Sequence, residues 1–180
     1  LKVLHFNYKL STMMKIALKT FFILAQIMSI QAFSGWHSDI SEACPSGQYI
    51  YRITGLYSNS HKDRAWTFKC TSSSSVTTSC RTSGWLNAYK GELLYQCPYG
   101  VITGLHARYI KKAQDRQFKF TCCYTANNYQ YNCKWTPYQN KFQGYLRYHV
   151  PKGYYLTGVK SHHDKETGDR TWRFLICHHG

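Results

Sequence analysis

The stretch Asp115-Arg116-Gln117-Phe118-Lys119-Phe120-Thr121-Cys122-Cys123 decides the fold. Phe118, Phe120 and Cys122 alternate with polar residues, a period of two that gives a strand one apolar face. The same block stands upstream as Asp63-Arg64-Ala65-Trp66-Thr67-Phe68-Lys69-Cys70, and downstream as Asp169-Arg170-Thr171-Trp172-Arg173-Phe174-Leu175-Ile176-Cys177. A Pro-x-Gly turn signal precedes each block: Cys44-Pro45-Ser46-Gly47, Cys97-Pro98-Tyr99-Gly100 and Val150-Pro151-Lys152-Gly153. Between turn and block lie Ile53-Thr54-Gly55-Leu56, Ile102-Thr103-Gly104-Leu105 and Leu156-Thr157-Gly158-Val159. Apolar residues on either side of each glycine have opposite strand parity. That predicts a bulge or a close backbone approach at Gly55, Gly104 and Gly158.

Working outward, Trp36, Trp85 and Trp135 recur 49 and 50 residues apart and mark the starts of three repeats, 36–84, 85–134 and 135–180. A period of roughly 50 residues is a signature of closed repeat architectures. No stretch after residue 32 carries a helical period with caps. The expected fold is all-β and disulfide-stapled, three repeats with pseudo-threefold symmetry, β-prism-like, with a β-trefoil as the alternative. Threefold repetition also leaves few exposed sheet edges. The Ser/Thr-rich stretch Thr71 to Ser79 reads as a surface linker.

The chain has 180 residues, 23 Lys+Arg against 8 Asp+Glu, and a formal charge of +15. Hydrophobic residues make up 43%, enough for a core, which excludes a disordered chain. Residues 1–32 read as upstream sequence plus a secretory signal peptide starting at Met13 or Met14. Lys15 and Lys19 form its basic region, Phe21 to Ile30 its apolar run, and cleavage is expected after Ala32 or Ser34. A membrane anchor is the alternative, but Gln26 and Ser29 interrupt a run already short for a span. Residues 1–32 hold four Lys and no acid, so 33–180 keeps 19 basic and 8 acidic residues, +11. Secretion makes a polyanionic glycan, rather than nucleic acid, the expected partner for a basic aromatic surface.

A signal peptide and eight Cys imply a disulfide framework. Cys44 and Cys70 bracket repeat one. Repeat three carries Val150 where the others carry Cys44 and Cys97, so Cys177 pairs with Cys133. Cys122 and Cys123 face opposite ways on a strand, which predicts Cys97–Cys122 and Cys80–Cys123; the swap, Cys97–Cys123 with Cys80–Cys122, is the alternative. Each bridge contributes about 3–4 kcal/mol by loop closure. Metal is not expected, because no Cys-x-x-Cys is present.

The repeated Asp-Arg-x-Trp-x-Phe-x-Cys strand, the Cys-Pro-x-Gly turn and the Cys122-Cys123 doublet resemble the dermatopontin family, from Trp36 to Cys177. The resemblance implies a secreted, non-enzymatic protein of the extracellular matrix. Its implied partners are sulfated glycosaminoglycan or proteoglycan, collagen or another matrix protein, and cell-surface glycans. Invertebrate relatives include agglutinins and hydrozoan cytotoxin-like proteins. This chain is basic where vertebrate members are acidic, and it shows no acidic Tyr-rich N-terminal extension. It also ends just after Cys177, without their longer cysteine-containing tail. Those differences place the expectation nearer an invertebrate member.

Two sets of residues are candidates for function. The pairs Asp63-Arg64, Asp115-Arg116 and Asp169-Arg170 read as structural, each Asp shaping a turn and each Arg held by a partner. A threefold anion site is their alternative role. The stretches before them are the expected binding loops: Ser58 to Lys62, Arg108 to Gln114 and Ser161 to Gly168. Lys62, Arg108, Lys111, Lys112, His162, His163 and Lys165 are the candidate anion ligands, with Tyr57 and Tyr109 as sugar-stacking faces. No nucleophile motif, His-Glu-x-x-His or phosphate loop is present, so neither catalysis nor a cofactor is expected.

Overall fold

The computed structural model describes residues 33–179. The expected leader, residues 1–32, lies outside them, while the alternative cleavage site after Ser34 falls among the described residues. The described residues form eleven strands and no helix. They are β1 (Ile40–Ala43), β2 (Gln48–Ser58), β3 (Asp63–Ser72), β4 (Val76–Thr82), β5 (Leu93–Gln96), β6 (Val101–Ile110), β7 (Asp115–Thr125), β8 (Gln130–Trp135), β9 (Leu146–His149), β10 (Tyr155–Asp164) and β11 (Asp169–His179). Three long antiparallel hairpins, β2–β3, β6–β7 and β10–β11, are the centres of three sheets ordered β3-β2-β9, β1-β6-β7-β4 and β5-β10-β11-β8.

The short strands cross between repeats. β1 pairs with β6, β5 with β10, and β9 returns from the last repeat to pair with β2. Each hairpin therefore has one edge closed by a strand of another repeat, and the three exchanges form a cycle. The hairpins enter on Gly47, Gly100 and Gly153, with φ of 72°, 80° and 83°. Position 100 needs glycine, since an added Cβ would lie 1.9 Å from the Cys123 carbonyl oxygen.

The hairpin register corrects part of the sequence alignment. Bulges fall at Ile50/Arg52, Ile102/Gly104 and Leu156/Gly158. Gly104 and Gly158 lie beside them, where β1 and β5 approach closely: an added Cβ would be 3.0 Å from the Glu42 oxygen and 2.7 Å from the Tyr95 oxygen. Gly55 is not at the bulge; Arg52 is. Gly55 faces Trp66 across the hairpin, where Ala107 faces Phe118 and Ser161 faces Trp172. Its bareness makes room for the Arg64 side chain, 2.9 Å from where a Cβ would be. Thr71 to Ser79 is not a linker: β3 runs to Ser72 and β4 starts at Val76 after a tight turn.

The tryptophan spacing also misleads. The backbone N–H groups of His37, Lys90 and Gln143 each donate to Oδ2 of the aspartate that opens a block, Asp63, Asp115 and Asp169. These three have φ near 60°. They match Trp36 with Tyr89 and Phe142, not with Trp85 and Trp135. Trp85 and Trp135 lie instead on outer sheet faces, under Arg108 and Arg173.

Inside, Trp66, Phe118 and Trp172 meet edge to face, with Trp172 at 5.1 Å from Trp66 and 5.0 Å from Phe118. Phe120 and Phe174 pack beneath with the aliphatic residues Ile53, Leu105 and Val159. Four bridges staple this core: Cys44–Cys70, Cys97–Cys122, Cys80–Cys123 and Cys133–Cys177. The first two cross between sheets, and the last two join neighbouring strands. Where repeat three lacks the inter-sheet bridge, Val150 and Ile176 are both buried in the core instead.

Above the aromatic layer sits a ring of charge. Arg64 donates Nε and Nη2 to Asp169 at 3.1 and 2.7 Å, Arg116 to Asp63 at 2.9 and 2.7 Å, and Arg170 to Asp115 at 2.7 and 2.7 Å. All six side chains are at most 5% exposed. Every pair joins two different repeats, and every fork is bidentate, the strongest geometry these groups make. Removing one partner leaves a buried charge uncompensated, at a cost of roughly 3–5 kcal/mol. Arg116→Ala is therefore expected to lower the urea midpoint sharply, and Arg116→Lys to recover little, because an ammonium cannot fork. Equal midpoints for wild type and Arg116→Ala would contradict a clasping role.

Candidate functional site

The three hairpin turns converge above this ring. Residues Lys62, Gln114 and Gly168 each adopt positive φ immediately before the aspartate, at 49°, 50° and 71°. They stand close together: a Cβ on Gly168 would be 3.4 Å from Gln114 Cβ and 3.6 Å from Lys62 Cβ. The turns are tied by a second cycle of hydrogen bonds. Tyr57 donates its hydroxyl to the Thr167 carbonyl, Tyr109 to the Lys62 carbonyl at 3.2 Å, and His163 Nε2 to the Gln114 carbonyl at 3.4 Å. Each of these three residues pairs in register with a ring arginine, Arg64, Arg116 or Arg170.

This geometry sorts the candidates. Tyr57 is buried with its hydroxyl pushed up to about 12, by burial first and the Asp169 carboxylate second. Tyr109 stacks on His37 at 4.5 Å. Neither offers a free face to a sugar, and His163, with its side chain 1% exposed, is a bolt rather than a ligand. Its neighbour His162 is exposed and lies 3.0 Å from Glu92. Lys111, Lys112 and Lys165 are exposed on the turns, and Lys62 is half-buried beside Gly168. Arg108 is apart from them, on β6. It donates to Gln117 at 3.0 and 2.6 Å and covers the Trp85 ring at 4.3 Å, with Lys119 4.5 Å from the same ring.

Burying three aspartates in the ring leaves five acids on the described surface: Asp39, Glu42, Glu92, Asp164 and Glu166. Asp164 is committed to its own turn, accepting from the Thr167 N–H and hydroxyl, which hold its carboxyl below the usual range. Three arginines are buried with the aspartates, leaving 16 Lys+Arg against these five acids outside the ring. Sequence reasoning missed a second concavity, a groove of about 340 Å³ lined by Arg81, Thr82, Ser83, Tyr95, Pro98, Tyr99 and Tyr124. It lies at the opposite end of β6 from the turns, roughly 30 Å away along the strand. Its residues come from β4, β5, β7 and the loops that follow β4 and β5, which no local pattern brings together. Among the described residues no cluster of His, Cys, Asp or Glu is arranged to hold a metal ion, and no helix is long and apolar enough to cross a membrane.

The dermatopontin family model matches residues 34–179, every repeat and all eight cysteines. The chain belongs to the dermatopontin family. Among dermatopontin-like relatives, a hemagglutinin/amebocyte aggregation factor of Limulus polyphemus is 35% identical over 79% of this chain and 84% of its own length. The dermatopontin of Biomphalaria glabrata is 35% identical over 74% of this chain and 90% of its own. Millepora cytotoxin-1 of Millepora dichotoma is 29% identical over 74% of this chain and 60% of its own. No solved structure matches this dermatopontin-family chain.

Two histidines held down by burial are expected to give the fold a pH dependence. Burial pushes the His163 imidazole down, partly offset by Asp115, and takes His179 down to about 4. His179 Nδ1 meets the Thr125 hydroxyl at 3.0 Å while Nε2 has no partner. A histidine with a depressed folded pKa contributes stability that is complete above its unfolded pKa, about 6.5, and is lost as pH falls below it. His179, the more strongly depressed of the two, is expected to account for most of the stability lost between pH 7 and pH 5. The denaturant midpoint is expected to fall over that interval, and His179→Gln to flatten the dependence; an unchanged midpoint at pH 5 would refute the assignment.

Proposed function

We propose that this is a secreted, non-enzymatic extracellular protein that binds sulfated glycans, of the proteoglycan type, through the basic end of its hairpin turns. The observation that carries the reading is the mounting of Lys62, Lys111, Lys112 and Lys165 on three turns bolted to one buried ring. Positioned cations on a rigid frame lose little entropy on binding a polyanion. Glu166 is the one exposed acid on these turns that no hydrogen bond commits. Arg108 and His162 flank the cluster on the adjoining sheet faces. Collagen-type matrix partners, suggested by the family, fit the same extracellular setting. The cyclic exchange of edge strands supports a prism-like pseudo-threefold frame over a trefoil.

Sugar stacking, which Tyr57 and Tyr109 do not offer, has a candidate place in the distant groove. There Tyr99 and Tyr124 are stacked at 5.8 Å and Arg81 supplies a cation. Aromatic rings beside hydroxyls and one charge are the usual lining of a small-ligand cleft.

Binding by exposed charge is screened over a Debye length of roughly 8 Å at physiological salt and about 3 Å at 1 M. Retention of the secreted protein on heparin is expected to collapse over that range. The double variant Lys111→Ala/Lys112→Ala is expected to elute earlier with an unchanged melting temperature, since exposed substitutions seldom move stability by more than about 0.5 kcal/mol. Unaltered elution of this pair would place the site elsewhere.

The relative named as a hemagglutinin, alike over most of both chains, favours a second reading, an agglutinin of cell surfaces. Turns and groove at opposite ends of one hairpin suit the bridging of two surfaces. Red cells separate the readings: clumping supports agglutination, release of haemoglobin supports a lytic protein, and neither is expected of a matrix-only protein.

A further inference from the structure

The axis of the molecule holds a cavity between the charged ring and the aromatic layer. Asp63, Asp115, Asp169 and the three arginines wall it, Trp66, Phe118 and Trp172 floor it, and Lys62, Gln114 and Gly168 stand at its outer rim. Its volume is about 20 Å³, above the roughly 10–15 Å³ that one water-sized occupant requires. It is too small for sulfate or a sugar.

Three polar atoms of these lining residues are buried without a hydrogen-bond partner: Trp66 Nε1, Trp172 Nε1 and Arg170 Nη1. All three are donors and none can accept. A second cavity below is lined by apolar residues and offers these atoms nothing. The indoles meet neighbouring rings edge to face, contacts weaker than a hydrogen bond to a full acceptor. Buried donors left unpaired are costly, and their common need is one acceptor.

We propose that the axial cavity binds a single halide ion, chloride in extracellular fluid. A water accepts from only two of the three donors and brings two hydrogens of its own. Few acceptors are left for them, because four of the six carboxylate oxygens already accept two hydrogen bonds each. These are both oxygens of Asp63, from Arg64 N, Arg116 Nε, His37 N and Arg116 Nη2, together with Oδ2 of Asp115 and of Asp169. An anion needs only donors. The three arginines and three aspartates cancel, and Lys62 at the rim adds positive charge. Lys62 is the one residue the site shares with the glycan reading, which otherwise concerns the outer surface of the turns.

Crystals of the secreted protein grown in sodium bromide test the site directly. An anomalous peak on the axis, between Arg170 and the two indoles, is the expected result; axial density without an anomalous signal means water and overturns the proposal. In solution, the melting temperature is expected to rise by several degrees from gluconate to chloride at matched ionic strength, as ligand linkage requires. Phe118 already occupies the equivalent floor position, so Trp66→Phe/Trp172→Phe preserves the packing while removing two donors. That variant is expected to lose most of the chloride dependence. Equal chloride dependence in both proteins would refute the donor set, and the bromide experiment on the unmodified chain stands even if the variant does not fold.

Discussion

Three bidentate contacts between buried arginines and buried aspartates hold the molecule in its arrangement. Each aspartate sits beside an arginine in sequence, yet pairs with the arginine of another repeat: Asp63 with Arg116, Asp115 with Arg170, Asp169 with Arg64. Charges this deeply buried are tolerated only when they are paired and hydrogen-bonded. Misassembly would leave one of them bare. The ring thus acts more through the arrangements it forbids than through the energy it adds. The carboxylates also take the backbone N–H groups of His37, Lys90 and Gln143, so the same groups fix three loops.

The mechanical result is a rigid platform. Tyr57, Tyr109 and His163 reach from one repeat to the turn of another, and the turns carry lysines outward. The aspartates and arginines of the ring cancel one another inside, so the net charge of +11 is carried by the residues outside it. A chain can in this way present a strongly cationic face while its interior remains electrically balanced.

How much of this was legible in the sequence depended on range. Alternation in Phe118/Phe120/Cys122 gave the strand, because a period of two is local. The opposite facing of Cys122 and Cys123 led to partners at Cys97 and Cys80, the bonds found in the fold. The partner of Arg116 was not legible, since nothing near it in sequence points to Asp63. The register of repeat one was misread because Ile53-Thr54-Gly55-Leu56 copies the letters of its neighbours three residues out of phase. The even spacing of Trp36, Trp85 and Trp135 was likewise a coincidence of composition in a chain with 17% aromatics. Burial and hydrogen bonding define equivalent positions, and identity of letters only suggests them. The groove at Tyr99 and Tyr124 assembles from strands far apart in the chain and left no local trace.

The return of β9 to β2 has a consequence for how such a chain is made. Leu146 to His149 must pair with Arg52 to Gly55, so the first hairpin waits for its edge partner until most of the polypeptide has emerged. A nascent chain lacking its last third would hold Asp115 without Arg170 and Arg64 without Asp169. Contacts of such long sequence separation form slowly. Completion of the ring therefore comes late in the making of the chain, together with closure of Cys133–Cys177, which also needs residues near its end.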